Sequence, residues 1–571
     1  MNTHQPAPGP PDGRSVLDAV CTEAAAVLGQ SPVSASDNFF ALGGDSLRAG
    51  RLVLRLLKVV PGAHRIELQD IFDAADFSEL ATQIEAGIGS DTSAAPSTHA
   101  TPGAAHLVVE PDVAEPGAGP WAVPLSYGQL RRLQRDADSV GERIPHHVSR
   151  SFDIQGPLDL VGLEAACQEL VQRHGALRTG FDLDLQHGRH QAQRLDGHRL
   201  DTSRLFQARR IPSCETVGDE VDSEQKALFD LPTEVKLRVL VLLTGKNEST
   251  IVITAEHLVC DGHSFAILLS DLAALYNART QKLPPGAALP QLPLRCWAEE
   301  EKSQQLAALE QRLAHWRTRL DPLEALPEVR LTGMRDPDVW PTTAAQLRSS
   351  LPAATVQRLR ETCASQSATL FSGFVTALGL AVLDDTGQTV PGMVSPTSGR
   401  PAGWEDEVDW FASSVINRFR INTQLSLGDA LSSAKQSVAS GLTHAVPLPL
   451  LLKHLQFNRD IVQRWRPWLY LALETDDGAP FPLQGVTVEP AVAEVQLALR
   501  AGLTVRVDIH QPEYQDAGAT VLFQYEREVW PAERAENFMA TFVRMVALVA
   551  QNPSDPNVAG LLRSNHVLAS R

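Results

Sequence analysis

Apolar side chains recur at the spacing of an α-helix in three short segments near the start of the chain. These segments are residues 15–29, 46–60 and 77–86. In the second segment Leu52, Leu56 and Leu57 fall on one side, while arginine and lysine occupy other positions. The pattern predicts a small all-α bundle for residues 14–88.

The rest of the chain alternates between helical and strand-like patterns. The helical segments are 160–177, 263–278 and 304–320, and the strand-like segments are 235–245, 249–258, 502–513 and 519–528. We expect the last two to form a pair. Helices interspersed with strands over so long a segment favour an α/β fold with more than one lobe.

Residues 89–120 separate these two parts and have no apolar periodicity. Alanine, serine, threonine, proline and glycine dominate there, so the segment buries too little surface to offset its chain entropy. We therefore predict a disordered N-terminus (1–13), a small helical domain (14–88), a linker (89–120) and two lobes of a large domain. The predicted lobes are 121–292 and 293–571.

The composition narrows the functional class without identifying it. The chain has 571 residues, of which 43% are hydrophobic and 21% charged, as in soluble globular proteins. Its net charge of −18 repels nucleic-acid phosphates, so we expect no nucleic-acid partner. The six cysteines contain no CxxC pair, so no metal site or disulfide framework is expected. No signal-peptide core or long apolar run is present, which favours a cytoplasmic protein without a membrane partner.

The string DNFFALGGDSL, residues 37–47, ends at the start of the second predicted helix. Gly43 and Gly44 permit a tight turn there. The hydroxyl of Ser46 then lies close to free backbone N–H groups at a helix N-terminus, which is a suitable environment for a phosphodiester. Taken alone, a serine in this position is much more often an ordinary helix cap than an attachment site.

The whole string resembles the attachment motif of peptidyl and acyl carrier proteins, and the resemblance covers residues 16–88. It implies a four-helix carrier bundle in which Ser46 covalently holds 4′-phosphopantetheine, whose thiol carries an acyl group as a thioester. It also implies that Asp45 and Leu47 belong to the surface recognised by a phosphopantetheinyl transferase.

A second informative string, AEHLVCDGHSF at residues 255–265, joins a strand-like segment to a helical one. His257 would stand in the intervening turn, where its imidazole can take a proton at physiological pH. Asp261 is suited to fix the turn by pairing with a cation, and Gly262 to adopt a turn that alanine would not fit. In isolation, such a histidine is more often structural than catalytic.

This string resembles the HHxxxDG motif of condensation domains and the HxxxD motif of chloramphenicol acetyltransferase-like acyltransferases. Residues 173–181 (RHGALRTGF), 124–133 (PLSYGQLRRL) and 398–421 resemble further segments of condensation domains, the last reading GR…VGFFVNT in many relatives. By the order and spacing of these segments, the resemblance covers nearly all of residues 124–560. The chain therefore resembles a carrier–condensation didomain of a nonribosomal peptide synthetase.

The resemblance implies two chloramphenicol acetyltransferase-like lobes in a V shape, with His257 near the middle of a tunnel between them. It also implies that Arg178 pairs with Asp261 and that both are structural. A donor acyl thioester would be transferred to the amine of an acceptor, held by a downstream carrier or free in solution, to form a peptide bond without a metal. His257 would deprotonate the ammonium or the tetrahedral adduct, or hydrogen-bond it in place.

Two departures from the family motifs have consequences for this reaction. Glu256 replaces the first histidine of HHxxxDG, and the alternation of strand residues predicts that it faces away from His257. If Glu256 instead lay beside the imidazole, it would raise the pKa of that histidine. Ser413 stands where relatives have an asparagine. We treat Glu256 and Ser413 as candidate modulators of the reaction.

Three functions stay open at this point. Amide formation is favoured, ester formation onto a hydroxyl uses the same chemistry, and a non-catalytic platform that recruits tailoring enzymes is the third. Glu256 favours the platform slightly, whereas the intact His257, Asp261, Gly262 and Arg178 oppose it more strongly. No ATP-binding motif accompanies the two domains, so an adenylation domain or other loading enzyme is expected as a partner. The chain is thus either a piece of a larger synthetase or loaded in trans.

Overall fold

The computed structural model describes most of the chain in separate ranges. These are residues 15–28, 32–89, 122–138, 145–182, 191–281, 289–320, 331–335, 345–455, 469–475, 481–491, 503–510, 518–551 and 558, apart from short gaps at 41, 43, 45, 61–65, 67–69, 72–73, 196–198, 212–215, 290–291, 293–294, 402, 423 and 425. The predicted disordered N-terminus at 1–13 and the predicted linker from residue 90 onward lie outside them.

The described part of the small domain contains three helices: α1 (Val16–Leu28), α2 (Ser46–Val59) and α3 (Phe77–Gly89). Leu52 and Leu56 of α2 are fully buried between them, as the periodicity predicts. Leu57 was expected on the same side but is 39% exposed, because it lies one residue beyond the buried stripe. The predicted all-α bundle is confirmed.

The first lobe of the large domain is built on a sheet with the strand order β12-β2-β7-β6-β5, in which β12 is Thr487–Pro490. Its strands from the first half of the chain are β2 (His147–Gln155), β5 (Phe206–Arg210), β6 (Leu237–Leu243) and β7 (Glu248–Glu256). A smaller sheet joins β1 (Ala122–Val123), β4 (Gln191–Arg194) and β3 (Thr179–Asp182). The helices are α4 (Tyr127–Asp138), α5 (Leu160–Arg173), α6 (Val217–Lys226) and α7 (Gly262–Thr280). Apolar faces of α5 and α7 pack in the same core as β6 and β7.

The second lobe has a six-stranded sheet with the order β10-β9-β11-β13-β14-β8. Its strands are β8 (Ala345–Leu351), β9 (Gly392–Thr397), β10 (Ser413–Arg418), β11 (Tyr470–Thr475), β13 (Leu503–Ile509) and β14 (Ala519–Tyr525). Its helices are α8 (Trp297–Ala307), α9 (Leu309–Arg319), α10 (Ala353–Ser365), α11 (Leu370–Thr386), α12 (Leu427–Thr443), α13 (Leu448–His454) and α14 (Ala532–Gln551). β13 and β14 pair antiparallel, which confirms the predicted late pair.

One sequence-based element was wrong in detail. The helix predicted over 304–320 is two helices, α8 and α9, because Ala308 leaves the helical conformation at φ −132° and ψ 17°. Among the described residues, no single helix combines the length and apolar composition needed to cross a membrane, although the bent pair α10 and α11 does so together.

A strand from the second half of the chain crosses to the first lobe. β12 (Thr487–Pro490) pairs antiparallel with β2, so it extends the first sheet. Asn277 of α7 fixes the approach to this strand, because its amide donates to Pro482 O at 2.8 Å and accepts from Gln484 N at 2.7 Å. The α/β fold of two lobes is thus confirmed, but the lobes are not two consecutive segments divided at residue 292.

Candidate functional site

His257 is the first residue after β7, in the turn that leads to α7. Its backbone N–H donates to the carbonyl of His146 at 2.9 Å, which continues the β2–β7 pairing by one residue. The half-buried imidazole packs against the His146 ring, with centroids 4.3 Å apart, and against the Trp410 indole, 4.9 Å away. Two rings from distant parts of the chain thus define the position of the His257 imidazole.

Asp261 caps α7 and binds the second half of the chain at the same time. One carboxylate oxygen accepts from Ser264 N at 2.8 Å, the helix-capping bond. The other accepts from the backbone N–H groups of Phe411 and Ala412, both at 3.0 Å. The Arg400 guanidinium pairs with the same carboxylate at 3.5 Å. The predicted pairing of Asp261 with a cation is therefore confirmed.

Arg400 is held in place by contacts on several sides. Its guanidinium donates to the carbonyls of Trp404 and Glu407, both at 2.6 Å, and to Ser264 Oγ at 2.7 Å. The same group lies 3.9 Å above the centroid of the Phe411 ring. Burial lowers the pKa of Arg400, and the Asp261 carboxylate acts in the opposite direction. An arginine remains charged in such a site, so it can neutralise Asp261.

Gly399 makes this placement of Arg400 possible. Its φ is +57°, in the left-handed region, and a β-carbon there would lie 2.1 Å from the carbonyl oxygen of Phe411. Only glycine accommodates both the conformation and the close backbone approach. The glycine before Arg400 is therefore required for the segment 399–411 to fold against Asp261.

Two structural interpretations of the motif are corrected by the geometry. Arg178 does not pair with Asp261, because Arg400 and three backbone N–H groups occupy that carboxylate. Burial lowers the pKa of the Arg178 guanidinium, and the charge of Arg194 lowers it further. Gly262 is not required by its turn, since a β-carbon there would meet no described atom within 4 Å and its φ lies outside the left-handed region. The glycine instead leaves open space at the start of α7.

The two candidate modulators lie in different surroundings. Glu256 is 1% exposed, and its carboxylate lies 3.6 Å from His147 Nε2 and 3.9 Å from Arg132 Nη1. These partners differ from the rings around His257, as expected from strand alternation. Ser413 begins β10, directly after Ala412, whose backbone N–H binds Asp261. Its side chain is partly exposed.

Gln129 and Asp409 also belong to this site, although neither was predicted as a site residue. The Gln129 amide donates to Leu258 O at 2.8 Å and lies 3.4 Å from Asp409 Oδ1, so it connects the His257 turn to the segment with Trp410. Asp409 also accepts from Trp410 N at 2.8 Å, and burial raises its pKa to about 6. The sequence signal for Asp409 was an aspartate in the string VDWF, at the position where many relatives have the glycine of VGFF.

Ser46 is the first residue of α2, as predicted. Gly44 N donates to Phe39 O at 2.9 Å, and a β-carbon on Gly44 would lie 2.3 Å from the Phe39 ring, so the turn before Ser46 needs glycine. A helix N-terminus with Arg48 in its first turn fits a covalently attached phosphodiester. Asp45 lies outside the described residues. The described residues contain no cluster of three or more histidine, cysteine or acidic groups that could hold a metal ion.

Two family models match the chain. The model described as "Condensation domain" matches residues 123–562, and the one described as "Phosphopantetheine attachment site" matches residues 18–84. The second range includes Ser46, and the first includes His257 and Arg400. The two matches occupy the two parts of the chain that the fold distinguishes.

Curated relatives match both parts together. Nonribosomal peptide synthetase kk1B from Curvularia clavata is 25% identical over 565 residues, covering 95% of this chain and 4% of the relative. Surfactin synthase subunit 2 from Bacillus subtilis (strain 168) is 24% identical over 549 residues, covering 94% of this chain and 14% of the relative. The chain therefore spans a small part of the length of these relatives.

Solved structures share the fold of the large domain. The X-domain from teicoplanin biosynthesis has a TM-score of 0.65 at 21% identity, covering 76% of this chain and 96% of that chain. The first condensation domain of the calcium-dependent antibiotic synthetase, in complex with a substrate analogue, has a TM-score of 0.59 at 16% identity, covering 77% of this chain and 98% of that one. At these identities the likeness is one of fold.

We expect Arg400→Ala to lower the free energy of unfolding of the large domain by about 3–5 kcal/mol, because it leaves the Asp261 carboxylate buried without its cation. Urea denaturation followed by tryptophan fluorescence measures the change. Arg317→Ala is the matched control, since Arg317 and Glu310 form an exposed pair at 3.5 Å. Its loss should cost less than about 1 kcal/mol. Equal small effects of both substitutions would contradict the assigned role of Arg400.

Proposed function

This chain belongs to the condensation-domain family of nonribosomal peptide synthetases and carries a phosphopantetheine attachment domain ahead of its condensation domain, and from this we propose a specific reaction. A donor acyl group tethered at Ser46 is transferred to the amine of an acceptor aminoacyl thioester, and a peptide bond forms. The observation that carries the proposal is the half-buried imidazole of His257, fixed beside the Asp261–Arg400 pair.

Ser46 is the proposed attachment point of 4′-phosphopantetheine, which supplies the thiol that holds the acyl group as a thioester. The helix N-terminus at Ser46 and the nearby Arg48 favour the negative phosphodiester. Because the carrier directly precedes the condensation domain in the chain, we assign it the donor side of the reaction.

His257 is the proposed catalytic residue. Its imidazole takes a proton from the acceptor nitrogen, either before attack or from the tetrahedral adduct. The backbone hydrogen bond from His257 N to the His146 carbonyl fixes the main chain at this residue, and the His146 and Trp410 rings pack against the imidazole, which supports proton transfer over a short, defined distance. Asp261 and Arg400 act as positioning residues, since they fix the turn that carries His257.

The reaction needs partners that supply and receive the acyl group. A phosphopantetheinyl transferase modifies Ser46, and an adenylation domain or another loading enzyme charges the thiol. A downstream carrier, or a soluble amine, serves as the acceptor. The relatives are many times longer than this chain, which is consistent with further domains that provide these activities.

Two observations favour a second candidate function. Glu256 replaces the first histidine of the family motif, and the similar X-domain from teicoplanin biosynthesis has also been solved in a complex with OxyB. A non-catalytic platform that recruits a tailoring enzyme is therefore the alternative. His257 and Asp261 favour catalysis, because a platform would not require an imidazole fixed by a buried ion pair.

Ser46→Ala should abolish the mass gain that the protein shows on incubation with coenzyme A and a phosphopantetheinyl transferase, because the attachment hydroxyl is lost. Intact-protein mass spectrometry measures the gain. Ser36→Ala removes another hydroxyl from the same domain and should leave the gain unchanged. A gain that persists in Ser46→Ala would place the arm on another residue.

His257→Ala should lower amide formation by about 10²–10⁴-fold, the usual contribution of a general base. Protein loaded with an acyl-pantetheine arm is mixed with aminoacyl-pantetheine or its hydroxyacyl counterpart, and the products are weighed by mass spectrometry. Amide from the wild type supports the proposal, and ester alone would replace it with the hydroxyl reaction. If His257→Ala forms product at the wild-type rate, His257 takes no part in proton transfer and the domain only positions its substrates.

A further inference from the structure

His146 is the cross-strand neighbour of His257. The β2–β7 pairing sets His147 opposite Glu256, and the hydrogen bond from His257 N to His146 O continues that register by one residue. Side chains of adjacent strand residues point to opposite faces, so His146 and His257 share one face, and His147 and Glu256 share the other. The two imidazoles on the first face have centroids 4.3 Å apart.

The imidazole of His146 is buried but has no hydrogen bond in the described part of the chain. The residue is 4% exposed, and neither Nδ1 nor Nε2 has a hydrogen-bond partner there. Buried polar groups are nearly always bonded, and one left without a partner costs about 1–3 kcal/mol. A phenylalanine would fill the space without this cost. The ring nitrogens therefore indicate a chemical role beside His257.

Proton balance shows what a second imidazole can do. An acceptor that enters as a primary ammonium has three N–H protons, and the amide product keeps one. Of the two protons that leave, one converts the departing thiolate to a thiol, and the other needs a separate base. A hydroxyl acceptor loses a single proton, which the thiolate takes up. One shuttling imidazole thus suffices for an ester, whereas an amide formed from an ammonium needs a second proton acceptor.

We propose that His146 is this second acceptor: it takes the first proton from the acceptor ammonium, and His257 carries the second from the tetrahedral adduct to the departing thiolate. The inference rests on the proposed amide-forming function and deepens it. In this proposal the second histidine is needed only when the acceptor is an amine.

The charged groups nearest the His146 and His257 imidazoles have other partners, so they do not take up the proton in place of either histidine. Glu256, on the other face of the strands, is paired with His147 and with Arg132. On the side of Trp410, the nearest carboxylate in sequence is Asp409, which is fully buried and bonded to Gln129 and the Trp410 N–H. Burial raises the pKa of Asp409 to about 6, so it titrates below the range in which the acceptor amine does.

The test compares the pH dependence of two variants with that of the wild type. His146→Phe keeps a ring without nitrogens, and His146→Gln keeps hydrogen bonding without proton uptake. With acyl-loaded protein and aminoacyl-pantetheine, kcat/KM should fall about 10²-fold at pH 6.5. The loss should shrink to a few-fold at pH 9, because an α-amino group with a pKa of about 8 then enters as the free amine. With hydroxyacyl-pantetheine the loss should stay within a few-fold at every pH.

Controls separate this role from a structural one. His315→Phe alters a partly buried histidine that stacks on His444 in a different cluster, and it should leave the pH profile unchanged. A loss in both His146 variants that is equal at pH 6.5 and 9, or no loss at all, overturns the inference. If the wild type itself forms no amide, the proposed function fails and this inference fails with it. Unchanged variants of an amide-forming wild type overturn the inference alone.

Discussion

The structure around His257 depends on a single buried carboxylate. Asp261 is 4% exposed, and a charge at such a depth is stable only when it is paired and hydrogen-bonded. The chain meets this requirement with three backbone N–H groups and the guanidinium of Arg400, which lies 139 residues further along. Because the same carboxylate caps α7, the requirement also fixes the turn that presents the imidazole.

The need to pair the buried Asp261 carboxylate explains several features of the structure that otherwise have no common cause. Gly399 adopts a left-handed conformation because the segment before Arg400 must approach the Phe411 backbone closely. Trp410 reaches the His257 ring because its neighbour Phe411 is bound to Asp261 through the backbone. The strand pairing then assigns each histidine its face: His146 lies beside the imidazole of His257, and His147 lies beside the buried Glu256, which also pairs with Arg132.

Local sequence patterns predicted much of the fold and the turn between β7 and α7 that carries His257. Helical and strand periodicities located α2, β6, β7, α7 and the β13–β14 pair, and strand alternation agrees with the surroundings of Glu256. Long-range pairing could not be read in this way. The Arg178–Asp261 pair was implied by the family resemblance and does not form, because Arg400 pairs with Asp261 instead. Local sequence does not reveal which of many arginines reaches a given carboxylate. Gly262 was misjudged because a glycine in a motif can provide space as well as a turn. The crossing of β12 and the ring contact of His146 depend on tertiary packing alone.

A double-mutant cycle between Asp261 and Arg400 tests most directly whether this pair positions the turn that carries His257. Single-turnover amide formation would be measured for Asp261→Asn, Arg400→Met and the double variant, with the melting temperature recorded for each. The account predicts that the double variant is about as slow as the slower single variant, which corresponds to a coupling energy above about 1 kcal/mol. Effects that simply add would contradict it, because they would mean that the two residues act on the imidazole independently.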